Sequence, residues 1–156
     1  MKNKLFILYI VCISLFTGCT DEYTICDLSK DVRFIGTFYQ RINGADVLSP
    51  APNLSITQIP TNAPIFNQQA NVATFSFVLN SALDSSKYIF KIANNLVADT
   101  VTIIYTSTGV NLSPECGSVT YHNISKITTT LNTIDSVKIT NSKLNTDLLQ
   151  NAKFYY

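Results

Sequence analysis

An all-β domain is the fold class this sequence predicts: an antiparallel β-sandwich or partly open barrel of about seven strands, behind a lipoprotein signal peptide. Three observations point there. The first is composition: 17 Ile, 18 Thr and 10 Val stand against 2 Glu and 9 Ala, and β-branched side chains pack well on a pleated sheet while losing rotamer freedom in a helix. The second is period-two alternation, clearest over residues 72–80, where Ala73, Phe75, Phe77 and Leu79 share one face and Thr74, Ser76 and Val78 the other. The third is a set of turn signals at hairpin spacing, Asn43-Gly44, Asp84-Ser85-Ser86 and Asn94-Asn95.

Taken in order, the chain begins with Lys2 and Lys4, continues through twelve mostly apolar residues, Leu5 to Phe16, and reaches Gly18-Cys19. Twelve apolar residues fall short of the roughly 20 that a spanning helix needs. An ordinary secretion site needs small residues at the first and third positions before the cut, and Phe16 holds the third. The pattern is that of a bacterial lipoprotein signal, with Gly18 small enough to admit the peptidase and Cys19 supplying the sulfur for a diacylglyceryl group. Residues 1–18 are then the signal peptide, 19–30 a lipidated acidic tether containing Asp21 and Glu22, and 31–156 a single β domain. The expected location is the outer membrane, held by membrane lipid through the acyl chains (palmitate) on Cys19, with the leaflet left open.

Removing residues 1–18 from the 156 leaves 138, the size of one domain with a proper core. Nine basic residues then face ten acidic ones, so no basic footprint for nucleic acid remains. Cys12 leaves with the signal and Cys19 is taken by lipid, which leaves Cys26 and Cys116. An even remainder in an exported chain reads as a disulfide, with two buried free thiols as the alternative. Closing a loop of about 90 residues stabilises by up to roughly 4 to 5 kcal/mol in the chain-entropy model.

Within the domain, residues 32–39 form the first strand, with Val32, Phe34 and Phe38 on one side and Gly36 marking a bulge. Pro50, Pro52, Pro60 and Pro64 confine residues 54–59 to a short edge strand in a long loop. Strands at 72–80, 87–92 and 97–106 follow as a three-stranded meander. Asn111 to Gly117 is a loop, residues 119–123 and 134–140 are strands, 143–150 is a weak helical candidate, and 152–156 closes the domain as a strand.

The chemistry-bearing residues are sparse. His122 is the single histidine, which excludes a two-histidine metal site. Asp27, Asp31, Asp46, Asp84, Asp99, Glu115, Asp135 and Asp147 have no metal-loop spacing, and neither a phosphate-binding glycine loop nor a nucleophile elbow occurs. No enzyme activity, cofactor or metal is expected. Tyr39, Tyr105, Tyr121, Tyr155 and Tyr156 are candidates for an aromatic row that stacks on sugars, against which the absence of tryptophan weighs.

Several segments together, Phe38-Tyr39, Lys87-Tyr88-Ile89-Phe90, Ser113-Pro114-Glu115-Cys116-Gly117, Ile134-Asp135-Ser136-Val137 and the closing aromatic strand, resemble a family of short Bacteroidetes lipoproteins that carries a domain of unknown function. The resemblance implies envelope lipidation and a small β domain, and no activity. The acidic patch after Cys19 resembles the signal that follows the lipidated cysteine in surface-exported lipoproteins of that group. Asp99-Thr100-Val101 and Asp135-Ser136-Val137 resemble its periplasmic O-glycosylation acceptor, making Thr100 and Ser136 candidate glycan sites; otherwise both hydroxyls are ordinary outward strand residues. The function expected is that of a non-enzymatic structural or partner-binding envelope module, its partner an outer-membrane β-barrel docked through an edge strand or apolar patch. A surface glycan-binding module is the alternative.

Overall fold

The computed structural model describes residues 26–156. In chain order these form β1 (Phe34–Ile42), β2 (Ala45–Leu48), β3 (Ala51–Ile59), β4 (Ala63–Val72), β5 (Thr74–Phe77), β6 (Ser85–Lys91), β7 (Asp99–Ser113), β8 (Gly117–Thr128), β9 (Ser136–Ile139), β10 (Lys143–Leu144) and β11 (Ala152–Tyr155). One sheet runs β2-β1-β11-β9, with β5 also on β1; the other runs β10-β8-β7-β6-β3-β4. Neither closes into a barrel, and the two enclose one core as a sandwich. Eleven strands exceed the expected seven or so because β2, β4 and β10 also pair.

The core is aromatic. The alternating inward residues Phe34 and Phe38 of β1, Phe75 and Phe77 of β5, Phe90 of β6 and Phe154 of β11 are all buried. The Phe75 ring centroid lies 5.0 Å from that of Phe38, 5.2 Å from Phe154 and 5.3 Å from Phe90. Such tilted and edge-on contacts add to the burial of each ring.

Four local expectations are corrected. Gly36 marks no bulge: its pairing with Phe75 on β5 and Ala152 on β11 is unbroken. A Cβ there would run into the Phe75 ring, so the glycine serves a close approach. The proline-rich stretch is two long strands rather than a loop, and residues 54–59 lie in the sheet interior, between β4 and β6. Prolines are tolerated because Pro52 precedes the ladder with β6, which starts at Ser55, Pro60 sits in the turn, and Pro64 lies on edge strand β4. The expected meander is broken: β5 pairs with β1 in the first sheet, while β6, β7 and β8 are consecutive hairpin partners in the second. Residues 143–150 are not helical, because local side-chain bonds compete: the Asn145 and Asn141 carboxamide oxygens accept the N–H of Asp147 and Lys143.

One pairing has no precursor in the local pattern. β1 and β11 lie side by side in parallel, Gly36 opposite Ala152 through Tyr39 opposite Tyr155. Asn151 fixes the junction, its Oδ1 accepting the Ile35 N–H at 2.9 Å and its Nδ2 donating to the carbonyls of Asn141 and Lys143.

Candidate functional site

Beyond Tyr39 the β1–β2 ribbon overhangs the core. Gln40, Arg41, Ile42 and the whole of β2 are exposed, joined by an Asn43-Gly44 turn with φ of 51° and 80°, the left-handed pair a tight hairpin requires. Pairing with β2 and β11 brings Tyr39, Arg41, Asp46, Lys153 and Tyr155 to one outer face.

Asp46 is the centre of that group. Its Oδ2 accepts from Lys153 Nζ at 2.8 Å and from the Tyr155 hydroxyl at 2.9 Å, and Arg41 Nη2 stands 3.6 Å from Oδ1. The Lys153 and Tyr155 hydrogen bonds hold the Asp46 carboxyl below its usual range, and the bond to Asp46 raises the Lys153 ammonium above its own. Each cation also caps a ring, Lys153 Nζ 4.8 Å from the Tyr39 centroid and the Arg41 guanidinium 5.3 Å from that of Tyr155. Beside this cluster lies an open cleft of about 420 Å³, lined by Gln40, Arg41, Ile42, Asp135, Ser136 and the two C-terminal tyrosines.

The free edge of β2 differs from those of β4 and β9. β4 carries Pro64, left-handed Gln68 and Asn71, and register shifts against β3, and β9 carries Lys138; such devices block edge-to-edge pairing. β2 is short and its one charge, Asp46, is tied to Lys153 and Tyr155; it has no proline, left-handed residue or register shift and presents Val47 and Leu48, 41% and 52% exposed, beside Ile42 at 49%.

Of the residues singled out from sequence, Cys19 lies outside the described residues. Cys26 and Cys116 form a disulfide with Cα atoms 5.0 Å apart, fastening the N-terminal segment to the tip of the β7–β8 hairpin. Residues 26–31 lie outside any strand, and the buried core begins at Val32. They can fray when the bond is cut, so Cys26→Ser is expected to cost about 2 kcal/mol, less than the loop-entropy bound. Urea denaturation with and without reductant checks this, and coincident midpoints would refute it.

Thr100 and Ser136 lie in different sheets and are not brought together. Thr100 is half-buried on β7, and the Asp99 before it is buried inward; Ser136 is exposed on β9 at the cleft rim. His122 is buried, its Nδ1 2.9 Å from Ser107 Oγ and its ring edge-on to Tyr105; burial depresses its pKa. Tyr105 and Tyr155 are buried, and Tyr39, Tyr121 and Tyr156 are half-buried, so the five make no exposed aromatic row. Among the described residues no group of three or more His, Cys, Asp or Glu side chains is placed to hold a metal. The Arg41, Asp46, Lys153 and Tyr155 group escaped sequence reasoning. Its one trace was the alternation of Tyr39 with Arg41 and of Lys153 with Tyr155, which acquires meaning only through the parallel pairing.

The sequence matches the model of a family of unknown function, DUF6452, over residues 53–156. No curated protein and no solved structure matches. The match begins within β3, so β1 and β2 precede it although β1 is central to its sheet. With two thirds of its length covered, the chain belongs to DUF6452, a family of unknown function.

Proposed function

We propose that this is a non-enzymatic lipoprotein of a Bacteroidetes-type outer membrane, anchored by acylated Cys19, that docks a protein partner along the free edge of β2. The observation that carries the docking is the contrast between edges: among the described residues β2 is the edge strand that presents exposed apolar side chains, Val47 and Leu48, on a ladder free of proline, left-handed residues and register shifts. An extended segment that adds to such an edge gains main-chain hydrogen bonds, with side-chain contacts supplying specificity. An integral outer-membrane β-barrel is the partner proposed, since a tether confines the domain beside membrane neighbours and raises their effective concentration. Cys26 is seven residues from Cys19, so at about 3.5 Å per residue the hairpin tip stays within roughly 25 Å of the anchor.

The glycan reading ranks second because the ring faces it needs are in use, Tyr39 under Lys153 and Tyr155 under Arg41. Ser136, exposed at the cleft rim, is the better-presented of the two candidate O-glycosylation sites. The non-enzymatic reading draws support from His122, which is buried and, among the described residues, has Ser107 but no carboxylate hydrogen-bonded to its ring, so the pair lacks the third member of a triad.

Two measurements test the proposal. Palmitate labelling should be lost in Cys19→Ala, and equal labelling would remove the anchor. A photo-crosslinking residue at position 48 should yield a defined protein adduct in intact cells, while one at Gln69, on the blocked β4 edge, should not. No adduct at either position, with retention of the protein on a polysaccharide column, would transfer the reading to glycan binding.

A further inference from the structure

The balance of nine basic and ten acidic residues in 19–156 hides an uneven distribution: among the described residues Asp46 is the one acidic side chain exposed on a strand, and the others lie in turns and loops or, as Asp99, are buried. On the six-stranded sheet, residues with inward side chains, such as Tyr88, Phe90, Val101, Ile103 and Ile124, are buried. The register therefore assigns the opposite face. Lys87 and Lys91 point outward from β6, Lys126 from β8 opposite Ile104, and Lys143 from β10 opposite Asn123. Between them the outward positions hold threonines, serines, Asn123 and the exposed Ile89 and Ile104. No carboxylate occupies an outward position on β3, β6, β7, β8 or β10: the acidic residue of β7, Asp99, is turned inward and buried. None of the four lysines is in an ion pair among the described residues. At strand spacings of about 4.8 Å and 3.4 Å per residue, they cover a patch of roughly 14 by 25 Å.

We infer that this face lies on a bilayer surface rich in anionic phospholipid. Charge complementarity selects an anionic partner. The broad face, with two aliphatic side chains among the lysines, suits headgroups in a plane better than a single polyanionic strand, which favours a groove with stacking rings. The choice of a membrane among anions also rests on the proposed anchor, because Cys26 is fastened to the tip of β7 and β8, strands of this same sheet. An acyl chain at one end and lysines along the face would give two attachments to one surface. Each lysine near an anionic leaflet improves partitioning by about fivefold, on the order of 10²- to 10³-fold for four, and the gain is screened by salt.

The test uses residues 19–156 with Cys19→Ser, so its outcome does not depend on lipidation; the whole hydrophobic core lies within residues 32–154, and circular dichroism verifies the β fold. Co-sedimentation with vesicles of phosphatidylcholine alone and with about a third phosphatidylglycerol should show binding only to the latter, despite the chain's net negative charge, with weakening as salt rises. Replacing Lys87, Lys91, Lys126 and Lys143 together with Gln should reduce binding at least 100-fold. Lys30→Gln with Lys138→Gln, which lie off this face, should change it less than threefold. Equal sedimentation with both vesicles, equal loss in the two variants, or binding to soluble anionic polysaccharide without binding to vesicles would each overturn the inference. Loss of palmitate labelling would concern the anchor alone.

Discussion

Asp99→Asn is expected to lower the unfolding free energy by about 3 kcal/mol or more, a fall of about 10 °C in Tm for a domain this size. The carboxylate is 1% exposed at the start of β7 and organises the loop between β8 and β9. Its Oδ1 accepts from the hydroxyls of Thr129 at 3.2 Å and Thr130 at 2.8 Å and from the Asn132 N–H at 2.7 Å, while Oδ2 accepts the N–H groups of Thr133 and Ile134, each at 2.8 Å. Asparagine keeps one acceptor and turns an NH₂ group towards donors, leaving buried N–H groups unpaired. Burial opposes ionisation of Asp99, but the N–H groups of Asn132, Ile134 and Thr133 and the Thr130 hydroxyl outweigh it and lower the pKa. A carboxyl depressed in the folded state contributes stability that is present above its unfolded pKa, near 3.9, and lost as pH falls through the lower folded value. Urea titrations at pH 7 and pH 3 should therefore show the wild-type advantage over Asp99→Asn shrinking at the acid end. A difference under about 1 kcal/mol at pH 7 would mean that the loop holds without this carboxylate.

Phe75→Ala should be at least as damaging, at about 4 kcal/mol, because it opens a cavity where five other rings meet. Phe75 touches Phe34, Phe38, Phe77, Phe90 and Phe154 within the core and Phe66 at its edge. Its ring also occupies the space left by the absent side chain of Gly36. Gly36→Ala alone should overpack this contact and cost about 1 to 3 kcal/mol. In the Phe75→Ala background the same change should cost almost nothing, since the added methyl then enters the cavity. The double-mutant cycle should return a coupling above about 1 kcal/mol, and additivity would show that the two residues do not share that space.

The fold class and most strands were legible because burial on one face imposes a period of two, and Phe75, Phe77, Tyr88, Phe90, Val101 and Ile103 carry that period without interruption. Sheet membership was not legible. β5 and β6 both alternate and are separated by a turn, yet they belong to different sheets, and alternation reports which face is buried without naming the neighbour. The prolines misled because their effect depends on which neighbour a backbone nitrogen would have met. Cys26 and Cys116 were found by elimination, whereas Asp99 looked like one more scattered carboxylate because its partners are mostly backbone N–H groups with no identity in sequence. The lysine face was hidden for a related reason: Lys87, Lys91, Lys126 and Lys143 meet only through the register of three separate strands.

The parallel contact of β1 with β11 also sets an order of events. β6, β7 and β8 are neighbours in sequence and pair as successive hairpins, so their sheet can form before the two ends of the domain meet. β1 is the earliest strand of the described residues, and its neighbour β11 is the latest, with Gly36 waiting for Ala152. Contacts across so long a separation carry the largest closure entropy and form slowly. Until they do, Phe34 and Phe38 lack Phe154 as a cover. The first sheet is thus completed late, and during that interval its aromatic face is the part of the folding molecule most in need of protection from other chains.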